Sequence, residues 1–260
     1  MLSSFKPSVL TAAVLLASAS MAQAQDFVIT DTEYNTDFYA GIYLPKSDFS
    51  EDVVVTTGEL PDGHQKIYGT QINDHKITFH GNLTIDANAT TTGALAYGLR
   101  SQSNAEVIVL GDTKIHASTL APIPEKNASQ GNAVGVLAEG GGSIDLSAGK
   151  TEITIDVGSS RPYGFQIVGG SVTTGKTLVT MNLHEASNPD NSGSDWVHAI
   201  YAAGGTYTAE DDTTFVVNGA DSEGNLIDLG NRVIRVVNLE GSAYNTNAQF
   251  DKNLNILNFH

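Results

Sequence analysis

Six short segments of this chain share one plan, an apolar or aromatic run centred on a single small residue. They are YAGIYL (39–44), IYGTQI (67–72), AYGLRS (96–101), AVGVLA (133–138), PYGFQI (162–167) and VHAIYA (197–202). Their centres, Gly41, Gly69, Gly98, Gly135, Gly164 and Ala199, stand 28, 29, 37, 29 and 35 residues apart. A weaker seventh copy, LIDL (226–229), centres on Asp228, another 29 residues on. The two long intervals hold polar stretches rich in Pro, Asn, Ser and Gly, 120–132 and 185–196, which read as insertion loops. Without them the period is 28–29. Self-similarity at such a period marks an array whose units bury their apolar faces only by stacking on one another.

Each unit predicts three short strands. The small-centred segment comes first. A second alternating run follows, as in AEVIVL (105–110), SIDL (143–146), SVTT (171–174) and TYTA (206–209). A third follows that, as in TKIHA (113–117), TEITI (151–155), TLVTM (177–181) and TTFVV (213–217). Period-2 alternation assigns faces. In the third strand Thr113, Ile115 and Ala117 point inward, as do Thr151, Ile153 and Ile155, leaving Lys114, His116, Glu152 and Thr154 to solvent. In the first strand the same rule puts Tyr97, Leu99 and Ser101 on one face and the central glycines on the other. Three strands per period and no helical periodicity predict an all-β fold, a right-handed parallel β-helix of about seven coils with two insertion loops. At roughly 4.8 Å per coil the rod is about 34 Å long. Ile42, Thr70, Leu99, Val136, Phe165 and Ile200 form one inward column. A β-sandwich with strands every 8–12 residues is the competing architecture. The 29-residue recurrence of one motif favours the solenoid.

Residues 1–24 stand apart. Lys6, an apolar run from Val9 to Ala19 and the Ala22-Gln23-Ala24 box read in order as a secretory signal peptide, leaving 25–260 as one domain. The apolar run is too short to span a bilayer. The net charge of −16 disfavours nucleic acid and anionic lipid as partners. Cysteine is absent, which excludes disulfide staples, thiol catalysis and zinc–thiolate centres.

A signal peptide, no cysteine and acidic repeats rich in Gly, Thr, Asn and Val are together similar to the passenger region of a Gram-negative autotransporter. AYGLRSQSNAEVIVLGDTKIHAS and AVGVLAEGGGSIDLSAGKTEITIDVG carry the likeness, which extends over about 27–239. The resemblance implies an exported β-helix, at the outer-membrane surface or extracellular, that serves adhesion or other surface interactions. Its partner would be a surface ligand or polysaccharide of a host or neighbouring cell. It also implies an outer-membrane translocator barrel. Only 21 residues follow Leu239, too few for one, so the chain reads as the first part of a longer product.

No catalytic motif converges in the sequence. A secreted polysaccharide lyase or glycoside hydrolase is the alternative, and it needs at least two acids and a base on one outward face. NTD (35–37), GH (63–64) and Asp211-Asp212 are scattered fragments, and Asp211-Asp212 reads as a solvated bend. No G-x-S-x-G is present. The acidic loops 209–212 and 220–224 lack a calcium-repeat pattern. The expectation is therefore a non-catalytic protein without cofactor or metal. Sites are sought where the repeat is broken, with Asp190, Asp195 and Trp196 as the candidate interaction loop. A passive stalk remains a third reading. His198 takes the place held by tyrosine in other coils.

Overall fold

The computed structural model describes residues 27–29, 33–35, 38–40, 47–57, 66–90, 94–120, 132–158, 160–185, 196–220, 223, 225–229, 232–241 and 246–259. Residues 1–24, expected to be a signal peptide, lie outside them, as do Gly41 and Ile42, and 121–131 and 186–195 within the two insertions. Every regular element described is a strand. β1 (Phe27–Ile29) is followed by an antiparallel pair, β2 (Glu33–Asn35) and β3 (Phe38–Ala40). β4 (Asp48–Phe49) and β5 (Val53–Thr56) complete the first coil. The second is β6 (Lys66–Asn73), β7 (Lys76–Phe79) and β8 (Leu83–Asn88), and the third β9 (Leu95–Gln102), β10 (Glu106–Val109) and β11 (Thr113–Thr119). Next come β12 (Asn132–Glu139), β13 (Ser143–Leu146) and β14 (Thr151–Val157), then β15 (Arg161–Val168), β16 (Ser171–Thr174) and β17 (Thr177–Leu183). The last two coils are β18 (Trp196–Ala203), β19 (Thr206–Ala209) and β20 (Thr213–Gly219), and β21 (Val233–Glu240), β22 (Asn247–Phe250) and β23 (Leu254–Phe259).

Equivalent strands of successive coils pair in parallel and build three sheets. Sheet I runs β1-β5-β8-β11-β14-β17-β20-β23 and sheet II β4-β7-β10-β13-β16-β19-β22. Sheet III runs β3-β6-β9-β12-β15-β18-β21, with β2 at its outer edge. This is the parallel β-helix that the repeat predicts. The column Thr70, Leu99, Val136, Phe165 and Ile200 is in register and ends on Val237. Sheet I alternates as expected, with Ile115, Ile153, Val179 and Phe215 in the core.

Two details differ from the sequence reading. The alternation in sheet III changes phase at the central glycine. Ala133, Val136 and Ala138 lie in the main core, whereas Val134 and Leu137 join a separate outer cluster with Tyr163. The ladder pairs Val134 with Tyr163 and Val136 with Phe165 but leaves Gly135 out. A Cβ on Gly135 would lie 2.5 Å from Ile153 Cγ2 and 2.8 Å from Gly164 O. The glycine therefore faces inward and so does the residue after it, an extra residue that bends the strand as a bulge does. Tyr97 points outward and Leu99 inward, not to one face.

The seventh coil is also displaced. Its sheet III strand is β21, where Val236 takes the place of Ala199, 37 residues on; the ladder pairs His198 with Arg235 and Ile200 with Val237 and passes over the residues between. Leu226–Leu229 instead precede it, with Leu226 in an antiparallel bridge to Ala220. The glycines at 98, 135 and 164 each pack against the carbonyl of the equivalent residue in the next coil. In β21 the position equivalent to these glycines is Val236, so the small-centred motif is absent there.

The corner from sheet III to sheet II takes positive φ in coils two to seven. Asp74, Ser103, Gly140, Gly169, Gly204 and Gly241 hold it, with φ from 55° to 102°. Gly169-Gly170 is thus a bend between strands.

Candidate functional site

Three outward features stand out, one on each lateral sheet face and one along a corner. On sheet III the phase change turns one residue per coil outward in the column Tyr68, Tyr97, Val134, Tyr163, His198 and Arg235. Tyr68 stacks on Tyr97 at 4.9 Å and Tyr163 on His198 at 4.9 Å. Tyr201 meets Tyr163 and His198 edge-on. Arg100 lies over Tyr68 and bonds Gln71 and Glu139. Tyr68, Val134, Tyr163 and His198 are buried although they leave the sheet on its outer side. Burial, aided by Arg161 and Arg235, pushes the His198 imidazole down to about 4. Neither of its ring nitrogens has a hydrogen-bond partner. The column packs on itself and leaves little ring surface for a ligand.

Trp196, one of three residues expected to form an interaction loop, is the first residue of β18 and belongs to this layer. Its ring lies beneath the guanidinium groups of Arg161, at 5.1 Å, and Arg235, at 4.3 Å. It meets His198 edge-on. It is half-buried and fastens the return of the chain onto the rod. Asp190 and Asp195 lie outside the described residues.

On sheet I a polar chain crosses several coils. His116 Nδ1 is 2.9 Å from Asp86 Oδ1, and its Nε2 is 2.8 Å from Asp156 Oδ2. Asp156 Oδ1 is 2.9 Å from His184 Nε2 and accepts from Asn182 Nδ2. Asn182 Oδ1 accepts in turn from Asn218. Bonding to Asp156, then to Asp86, raises the His116 pKa against the opposing effect of burial. Burial pushes Asp156 upward, but bonds from His116, His184 and Asn182 outweigh it and hold the carboxyl well below the usual range. Sequence reading missed this cluster. The bonded partners are 26 to 40 residues apart in the chain and meet only through coil register.

The third feature is the corner from sheet II to sheet I. One residue precedes every sheet I strand from β5 onward: Asp52, Asn82, Asp112, Lys150, Lys176, Asp212 and Asn253. At Asp52, Asn82, Asp112 and Asp212 the side chain caps the next coil. Asp52 Oδ1 accepts from the Asn82 N–H at 2.8 Å, Asn82 Oδ1 from the Asp112 N–H at 2.8 Å, and Asp112 Oδ1 from the Lys150 N–H at 2.9 Å. Asp212 Oδ1 accepts from both nitrogens of Asn253. Lys150 and Lys176 interrupt this ladder in two consecutive coils. Three shallow concavities of about 470, 490 and 240 Å³ adjoin the interruption, and Lys150 lines all three. They follow the rod axis from Asn82 to Asn255.

Among the described residues no group of three His, Asp or Glu side chains is arranged to hold a metal ion. Asp211 is exposed at the corner, on the bend assigned to it. No family model, curated protein or solved structure matches this chain.

Proposed function

We propose that the protein is an exported, non-catalytic β-helix that holds a partner along its side, in the manner of an autotransporter passenger engaged in adhesion or surface interaction. The observation that carries this reading is the line of concavities along the sheet II–sheet I corner. A line of shallow grooves of mixed polarity along a rod suits an extended partner. The signal peptide and the repeat composition support export. The direct test displays the chain on a non-adherent bacterium and measures retention on surfaces coated with polysaccharide or host matrix. Retention above that of the undisplaying strain is expected. A folded, displayed chain that leaves retention unchanged on every surface would instead favour a spacer.

The Asp86–His116–Asp156 cluster favours a second reading, a polysaccharide-active enzyme, because it sets two acids and a base on one outward face. Against it, both oxygens of Asp156 are bonded to neighbouring side chains, and a glycosidase pair needs one protonated acid. Incubation with a polysaccharide panel decides this reading. New reducing ends or unsaturated termini that vanish in Asp156→Asn would establish catalysis.

A further inference from the structure

The outer column of sheet III holds Tyr68, Tyr97, Val134 and Tyr163, and then His198. The imidazole lies flat on the Tyr163 ring, 4.9 Å between centroids and 4° between planes. Trp196 and Tyr201 meet it edge-on. His198 is 0% exposed, and neither ring nitrogen has a hydrogen-bond partner. A neutral imidazole carries one N–H donor and one acceptor, so even the uncharged ring leaves two buried polar atoms unmet, a cost that a valine, as at 134, avoids. Protonation makes the position worse. An imidazolium has two N–H donors, and a buried charge without an acceptor costs more than a buried dipole without one. The charged and titratable groups around the ring are Arg161 and Tyr163 from β15, Tyr201 from its own strand, and Arg235 and Glu240 from β21. Both guanidinium groups lie over Trp196, and Arg235 is the ladder partner of His198. Glu240 is the one acid of the set, and it already accepts from the Tyr201 hydroxyl at 2.9 Å and from Asn238 at 3.0 Å. Departures of this kind from local optimisation concentrate at functional sites.

We propose that His198 is an acid-operated latch, whose protonation parts the outer layer of sheet III between β18 and β21 and turns out the aromatic faces of Tyr163, Trp196 and Tyr201 while the rod beneath stays paired. The layer can open by itself because its outer cluster, Val134, Leu137 and Tyr163 with Tyr97 and Tyr201, is separate from the main core. It has a soft side at which to open. β21 is the last strand of sheet III among the described residues, Val233 is exposed, and Ile234, Val236 and Val237 are only partly buried. In the closed layer burial, then Arg161 and Arg235, oppose a proton on the ring and Glu240 favours it, which leaves the pKa at about 4. Once water reaches the ring it titrates at the ordinary value of 6.5. Between these values the open form binds a proton that the closed form does not, so from pH 7 to 4 the opening equilibrium rises on the order of a hundredfold. Buried histidines act as pH sensors in this way. The latch uses none of the corner concavities and stands whether or not the platform reading does.

Trp196 is the sole tryptophan, so its fluorescence reports on this layer alone. The test titrates the full chain from pH 7 to 3.5 and follows acrylamide quenching of Trp196 lifetimes beside far-UV circular dichroism. The quenching constant should rise roughly twofold or more as the layer opens, with its midpoint between 6.5 and 4, while the dichroism holds constant. His198→Tyr supplies the ring found at 163 and does not titrate in this range, so it should remove the rise. His198→Gln, polar and uncharged at every pH, should do the same, and it serves where the tyrosine does not fit. His75→Gln, an exposed histidine on another corner, should match the parent. A rise that persists in either folded His198 variant would overturn the latch. So would a rise that coincides with loss of dichroism, since the whole rod would then be unfolding, and so would quenching that stays level to pH 3.5.

Discussion

Gly135 has no room for a side chain, because its inward direction meets Ile153 of its own coil and Gly164 O of the next. Both contacts belong to packed structure, so Gly135→Ala must displace backbone or core. It should lower stability by about 1–3 kcal/mol, read as a fall in melting temperature, and an unchanged melt would contradict the inward assignment. His198 makes an opposite kind of statement. Its imidazole faces Tyr163, Trp196 and Tyr201, with Arg161, Arg235 and Glu240 the charged groups around it. Its folded pKa, about 4, lies below the ordinary imidazole value of 6.5. Between those values the unfolded chain binds the proton and the folded one does not, so this residue's contribution is full above pH 6.5 and is lost as pH falls toward 4. His116 has the reverse sign. Its raised pKa contributes stability that is full below 6.5 and is lost as pH rises through the folded value. His198→Tyr restores the ring of Tyr163 and Tyr97 and should gain on the parent as pH drops from 7 to 4.5. His116→Gln should be penalised most at the acid end. Melting curves across pH check both. Two parallel profiles would refute the assignments.

The elements explain what the sequence disclosed and what it hid. Sheet I was legible because Thr113, Ile115 and Ala117 alternate without interruption. Sheet II was legible for the same reason. Sheet III was only half legible. Alternation carried across Gly98, Gly135 and Gly164 put Tyr97, Val134 and Tyr163 on the wrong side, since a bend with two inward residues has no mark in composition. The glycines were the signal, but they mark close coil contact and not outward space. The seventh coil escaped because its sheet III strand carries Val236 where the other coils have a small residue. Its strand is held from behind by Arg232, whose Nη1 donates to Ser160 O at 2.6 Å and Nη2 to Gly158 O at 2.7 Å. The residues of β21 and β22 that face the core are only partly buried, and Val233, Leu239, Ile256 and Leu257 are exposed. A solenoid opens from such an end. Hydrogen exchange should therefore be faster in β21–β23 than in β12–β17, and Arg232→Ala should widen the difference. Uniform protection along the rod would contradict this.

For the whole molecule, one rule carries both fold and candidate sites. Residues about 29 apart, or more where a loop intervenes, are neighbours. That rule brings Asp86, His116, Asp156 and His184 together, stacks Tyr163 on His198 and sets Lys150 over Lys176. None of these sets was legible from linear spacing, because each depends on the register between coils and on where the insertions fall. Asp190 and Asp195 were chosen for interrupting the repeat, and Lys150 and Lys176 interrupt a finer pattern, visible only when the corner is read as a column. The absence of cysteine makes the register directly measurable. Lys114 and Glu152 are paired neighbours on the outer face of β11 and β14, and Leu178 is the next rung on β17. Adjacent parallel strands are roughly 4.8 Å apart, within the Cα separation of about 4.4–6.8 Å that a disulfide spans. Lys114→Cys with Glu152→Cys should therefore oxidise to an intramolecular disulfide in the folded protein, and Lys114→Cys with Leu178→Cys, two coils apart, should remain reduced. Closure of the second pair and not the first would contradict the parallel stack on which the account depends.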